Sequence, residues 1–222
     1  MAILFVDTAG GVFRADLATG QTVRLANYGY TYSWTDIAVT PDGRIFATTF
    51  GALYELNLNA GTAVLRKHLS DNINGLSSDS SGRLYLGGMN NEIAVISSSN
   101  FQSLRTIDLP LGTSSAGDIH INGDTLYYST ASNRLLTVDL RHDAVSHDVS
   151  HGIWSLYGLH SEGGKLYALA GNDIYLLNPR TGATEHVLEI PASVTINGAA
   201  TLAGVKVTGT RGDDVLLADQ NG

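Results

Sequence analysis

A turn followed by a short apolar strand recurs along this 222-residue chain at nearly constant spacing, which restricts its fold more than any other feature. The copies read PDGRIFATT from Pro41, SGRLYLGG from Ser81, GDTLYYST from Gly123 and GGKLYALA from Gly163. Their first large apolar residues, Ile45, Leu84, Leu126 and Leu166, stand 39, 42 and 40 residues apart. The N-terminal ILFVDT supplies a fifth copy at Leu4, 41 residues upstream. Glycine, at 25 of 222 residues, is abundant enough to serve many tight turns.

A second strand follows each copy, at Val12, Leu53, Ile93, Leu135 and Ile174. Another precedes each turn, around Ile37, Leu76, Ile119 and Leu159, and its fifth copy is INGAATL around Ala199. More polar segments, such as AVLRKHL and AVSHDVS, make a fourth type. Four short strands per period mark the blade of a β-propeller. Lettered A (innermost) to D (outermost), the chain runs B-C-D, then four complete sets, then a lone A.

The expected fold is therefore all-β, a five-bladed propeller of four-stranded antiparallel blades. One C-terminal strand, residues 196–202, is expected to close the ring against three N-terminal strands at residues 2–27. Closure removes two open sheet edges. A sandwich or jelly roll would require neither five regular repeats nor complementary leftovers at the two ends. Residues 1–203 form the expected propeller and residues 204–222 a separate tail.

Composition excludes other classes. Sixteen Asp, five Glu and only three Lys suit turns rather than helix faces. The formal charge of −8 argues against nucleic acid, since phosphate binding needs clustered Lys and Arg. No apolar run approaches the ~20 residues of a membrane span. MAILFVD lacks the basic region and cleavage site of a secretory signal. Without Cys there are no disulfides, no thiolate catalysis and no Cys-ligated zinc. A monomer is expected.

Two resemblances add to this reading. Blades such as INGLSSDSSGRLYLGG from Ile73 lack a Trp-Asp signature and resemble NHL-like and lactonase-like propeller blades. That resemblance covers about residues 2–203 and implies architecture rather than activity. In the tail, GTRGDDVLL (Gly209 to Leu217) resembles the nonapeptide of RTX, or hemolysin-type, calcium-binding repeats. Gly209 and Gly212 match its glycines, Asp214 its ligand aspartate and Leu216 its inward apolar residue, while Thr210, Ala218 and Asn221 depart from it. The RTX resemblance implies calcium as cofactor, with Asp213 and Asp214 as candidate ligands. It also implies a secreted, extracellular bacterial protein exported without an N-terminal signal; a cytoplasmic location is the alternative.

Candidate ligand-binding residues come from the loops that enter each inner strand. The loops at residues 27–34 and 150–157 hold Tyr28, Tyr30, Tyr32, Trp34, Trp154 and Tyr157, six of the twelve Tyr and Trp. Phe50, in a B-to-C loop, joins the same face. Aromatic faces beside Asn and Asp suit sugar rings, stacking on ring CH groups while amides and carboxylates bond hydroxyls. A ring of Asp36, Asn74, Asp118, Tyr157 and Asn197 is expected at the channel mouth. The lactonase-like resemblance implies a divalent cation there, although no Glu falls in an inner strand. Each of these residues also has a structural alternative, as a core cap or a partner for backbone N–H groups.

The histidines give little. His147 and His151 share a strand face but lie about 13 Å apart, too far for one metal, and His142 stands in the same outer segment. His120 and His160 follow inner-strand apolar positions, with His160 a candidate to face the channel. No GxSxG, HExxH or phosphate-cradling loop is present. The expected function is a noncatalytic recognition module, taking a glycan or another small polar ligand. The alternatives are a metal-dependent lactonase- or lyase-like enzyme and an intracellular scaffold.

Overall fold

The computed structural model describes residues 2–69, 72–191 and 194–201. Its strands fall into five four-stranded antiparallel sheets arranged as blades. Blade one begins the chain with β1 (Ala2–Val6), β2 (Gly11–Asp16) and β3 (Thr22–Asn27). Blade two is β4 (Asp36–Val39), β5 (Ile45–Thr49), β6 (Ala52–Asn57) and β7 (Thr62–His68). Blade three is β8 (Ile73–Ser78), β9 (Arg83–Gly88), β10 (Glu92–Ser97) and β11 (Ser103–Asp108). Blade four is β12 (Ser115–Asn122), β13 (Thr125–Thr130), β14 (Arg134–Asp139) and β15 (Ala144–Ser150). Blade five is β16 (Leu156–Glu162), β17 (Lys165–Ala170), β18 (Asp173–Leu177) and β19 (Thr184–Glu189).

The last strand, β20 (Gly198–Thr201), returns to blade one and pairs antiparallel with β1. Ile3 lies opposite Thr201, Leu4 opposite Ala200, Phe5 opposite Ala199 and Val6 opposite Gly198. The ring thus closes as the repeat arithmetic requires. The register corrects one detail of the sequence alignment. Ile45, Leu84, Leu126 and Leu166 face Val39, Ser78, Ile121 and Ser161 on their inner strands. The residue facing the equivalent Thr201 is Ile3, so the fifth copy begins there and not at Leu4.

The turn glycines of blades two to five, Gly43, Gly82, Gly123 and Gly163, all have positive φ, between 56° and 82°. A side chain in that region would crowd its own backbone, so glycine is what lets the A-to-B reversal be so short.

The core is divided among the blade interfaces. Five apolar clusters each join two adjacent blades: one and two, two and three, three and four, four and five, and five and one. Residues of the outermost strands, such as β7 and β15, are mostly exposed, which accounts for their polar sequences. Bonds that tie neighbouring blades span about one repeat. Asn74 donates from Nδ2 to the Ser115 carbonyl at 3.2 Å, and Tyr128 donates from its hydroxyl to the Gly88 carbonyl at 3.1 Å. Among the described residues no helix is long and apolar enough to cross a membrane.

Candidate functional site

The five inner strands come together at the centre, and their equivalent positions explain the site. One ring position is filled by Asp36, Gly75, Asp118, Gly158 and Gly198, each immediately before the apolar residue Ile37, Leu76, Ile119, Leu159 or Ala199. Two carboxyls therefore meet among three glycines. A Cβ on Gly198 would collide with the Asp36 carboxyl. Glycine here makes room for the pair.

Asp36 and Asp118 are both fully buried. The N–H of Ile37 donates to Asp36 Oδ1 at 2.7 Å, and that of Leu76, one blade on, donates to Asp36 Oδ2 at 2.5 Å. The Leu159 N–H, also one blade on, donates to Asp118 Oδ2. Each aspartate thereby stitches two blades together. Burial, and after it the neighbouring Asp118 carboxylate, pushes the Asp36 carboxyl well above the ordinary range. Burial also raises Asp118, against the hydrogen bond from Asp36 and the backbone N–H groups of Leu159, Ala199 and Ile119. Asp118 Oδ1 receives no N–H, so a proton shared with Asp36 is its available partner. Two buried carboxyls at one ring level, both raised, disfavour the doubly ionised state.

A cavity of about 500 Å³ opens on one side of this pair. Thr35, Asn74, Gly117, Tyr157 and Asn197 border it, one residue before the aspartate–glycine level on their strands. Phe50, Met89 and Trp154 add apolar wall, and Ser115, Ser155 and Asn133 add polar wall. The volume lies within the range of small-molecule sites, and no charged side chain lines it. On the other side a cavity of about 60 Å³ is bordered by Ser77, His120 and Thr201.

The expected ring therefore divides into two levels. Asn74, Tyr157 and Asn197 stand at the cavity, while Asp36 and Asp118 lie one level deeper, without exposed area. Asn74 is only 5% exposed and its Oδ1 has no donor. Asn197 Nδ2 likewise has no acceptor.

The aromatic loops divide as well. Trp154 is 79% exposed at the rim, and Tyr157 stands on the wall beside Gly117. Trp34 borders the cavity but has no exposed area, so it backs the wall and offers no stacking face. Its ring stacks on Tyr32 at 4.8 Å and meets Tyr28 and Tyr54 edge-on at 5.6 Å each. These four rings belong to the interface of blades one and two. Burial pushes the Tyr28 hydroxyl up to about 12. Tyr30 is 86% exposed and does not border the cavity. Tyr28, Tyr30 and Tyr32 thus leave the shared aromatic face expected from the sequence.

Of the histidines, His120 and His160 occupy the channel below the aspartates. His120 Nε2 lies 2.7 Å from Ser161 Oγ, and His160 Nδ1 lies 2.9 Å from Thr201 Oγ1. Burial, helped by His160, lowers His120 to about 3, and burial also lowers His160. Both link neighbouring blades, and Glu162, 3.4 Å from His160 Nε2, opposes the effect of burial there. His151 is buried and accepts the Ile153 N–H, while His142 pairs with Asp139. Among the described residues no three His, Cys, Asp or Glu come together to hold a metal. Asp213 and Asp214, with the whole RTX-like stretch, lie outside the described residues.

Ser115, Met89 and Asn133 on the wall were not singled out by the sequence, because one strand start and two loops from different blades converge there only in the ring. The aspartate–glycine level was legible: aligning TDIAV, NGLSS, GDIHI, YGLHS and NGAAT exposes it.

The sequence matches no protein-family model. A search of curated proteins also found no match. Among solved structures the chain is similar to the glutaminyl cyclase of Myxococcus xanthus, with 19% identity and a TM-score of 0.55 over 75% of this chain and 69% of that one. The likeness is one of fold. U3-55K gives a TM-score of 0.56 at 10% identity, over 82% of this chain and 59% of that one. The hydrazine synthase of Kuenenia stuttgartiensis gives 0.53 at 13% identity, over 70% of this chain and 49% of that one. Proteins of such different names on one architecture leave activity to the site.

Proposed function

We propose that this propeller is a recognition module whose central cavity binds a small, polar, ring-bearing ligand, with carbohydrate the class it suits best. The observation that carries the reading is the cavity itself: about 500 Å³, at the channel mouth, with Trp154, Tyr157 and Phe50 beside unsatisfied amide groups of Asn74 and Asn197. Stacking on one exposed aromatic ring contributes roughly 0.5–1.5 kcal/mol. Micromolar affinity corresponds to about −8 kcal/mol, so binding at that level needs several rings plus hydrogen bonds. Asn74 Oδ1 and Asn197 Nδ2 are buried at the cavity wall without a partner, an acceptor and a donor that a hydroxyl-bearing ring would satisfy after a small side-chain shift.

A glycan array with wild type and Trp154→Ala tests this reading. Binding that disappears in the variant supports it. Binding that survives intact in Trp154→Ala, or an array without any ligand, refutes it.

The metal-dependent enzyme alternative needs a donor set that the described residues do not assemble, so no reaction step is derived through a metal. We further propose calcium binding by the tail and export without an N-terminal signal, a reading supported by the Gly209–Leu217 sequence alone.

A further inference from the structure

The Asp36–Asp118 pair has no counter-charge. Among the inner strands packed around it, β8 and β20 contain no titratable side chain, and β4 contains only Asp36. β12 adds His120 to Asp118, and β16 brings Tyr157, His160 and Glu162. Burial disfavours the charged form of both histidines, with Glu162 opposing it at His160, and none of these five strands carries Lys or Arg. Of the adjoining strands, β1 and β5 carry no charged residue, β13 only Tyr127 and Tyr128, β9 Arg83 and Tyr85, and β17 Tyr167 and Lys165, the latter exposed at the strand's first position opposite Glu162. Arg83 is spent on Asp79, its Nε 2.6 Å from Oδ2. Any negative charge the two carboxyls keep is met by backbone N–H groups alone.

Buried charge normally has an opposite partner, because desolvation without one is expensive. The partner is absent from the protein's own inner strands, yet the cavity lies one residue level above the pair. Its wall carries no charged side chain. Aromatic faces carry the negative part of the ring quadrupole, Trp154, Tyr157 and Phe50 supply them, and no Lys or Arg borders the space. Asn74, almost wholly buried at the cavity, leaves Oδ1 as an acceptor without a donor.

We infer that the ligand of this cavity carries an ammonium group, seated among the aromatic faces over the Asp36–Asp118 level. A protonated amino sugar is the member of this class that also suits the aromatic and amide walls. The inference rests on the cavity being the ligand site. A bare calcium ion would need six to eight oxygens. Here three of the pair's four carboxylate oxygens already accept backbone N–H groups, and much of the wall is aromatic. An organic cation gains from such a wall.

Two matched probe pairs test the charge itself, by titration calorimetry at pH 6 on the full chain. One pair is the glucosamine trimer and its N-acetylated counterpart; the other is choline and 3,3-dimethylbutanol. The expected result is that the charged member binds at least tenfold tighter in one or both pairs. Asp118→Asn should narrow that preference severalfold, and Trp154→Ala should weaken the charged member further. Circular dichroism establishes that the Asn variant is folded; the wild-type comparison stands without it. Equal or tighter binding of the neutral member in both pairs overturns the inference and leaves the cavity as a ligand site. Absence of binding by all four probes overturns both. A folded Asp118→Asn protein with undiminished preference also overturns the role of the pair.

Discussion

Replacing Trp34 by Ala removes the one tryptophan that backs the cavity from inside, and its cost follows from its surroundings. The side chain has no exposed area and touches three tyrosine rings, Tyr28, Tyr32 and Tyr54, at 4.8–5.6 Å. Truncating a buried Trp to Ala costs about 3–5 kcal/mol in transfer and cavity terms. For a chain of this size each kcal/mol corresponds to roughly 2–4 °C, so the melting temperature should fall by about 6–20 °C. Trp154→Ala is the internal control. That residue is 79% exposed, and its loss should stay within about 0.5 kcal/mol. Urea unfolding followed by circular dichroism measures both. The chain has only two tryptophans, so each variant's residual fluorescence reports the surviving one. Emission from Trp34 alone should be blue-shifted until unfolding, and emission from Trp154 alone should resemble that of a solvated indole. Comparable costs for the two variants, or a loss below about 1 kcal/mol at Trp34, would refute the division into buried backing and exposed rim.

Further outcomes follow from the ring. Asp36 and Asp118 hold protons more tightly folded than unfolded, so their contribution to stability falls as pH rises from the ordinary Asp value of 3.8 through the raised folded values. Asp118→Asn removes part of that slope; urea midpoints should therefore place the variant closer to wild type, or above it, at pH 8 than at pH 5, and a constant difference would count against proton sharing. Gly198→Ala forces a methyl into the Asp36 carboxyl and should cost about 1–3 kcal/mol or more by chemical denaturation, whereas a neutral result would mean the inner ring has slack. Gly43→Ala meets no neighbouring atom but must hold φ near 82°, so a smaller loss of about 1–2 kcal/mol is expected from the same assay.

The fold was legible because it is written as a period. Five copies of four strand types leave one arrangement for the unpaired ends, and β20 sits beside β1 accordingly. The one-residue slip at Leu4 arose because ILFV offers four consecutive apolar residues, and only pairing with Thr201 selects Ile3. The site was legible in part. Asn74, Tyr157, Asn197 and Trp154 come to the cavity because each lies at or just before an inner strand, which chain position reveals. Tyr28 and Tyr32 do not, because their loop folds back over Tyr54 and uses its rings as core. Loop membership places a side chain near a face; which way it turns is decided by packing partners from another blade. The expected ring mixed two levels: aligning the five inner strands without gaps puts Asn74, Tyr157 and Asn197 one residue before Asp36 and Asp118.

The pairing of β20 with β1 also decides how the protein answers a pull. The two strands are antiparallel, so the start of β1 at Ala2 and the end of β20 at Thr201 emerge side by side, on the side of the ring away from the 500 Å³ cavity. Tension applied through both ends loads the Ile3–Thr201 pair first, then Leu4–Ala200, peeling one bond after another. The same four residues in a parallel pairing would be loaded together in shear and resist jointly. Tension applied at Ala2 and Thr201 therefore finds its mechanical fuse at the seam, and the ring opens from the end farthest from the cavity.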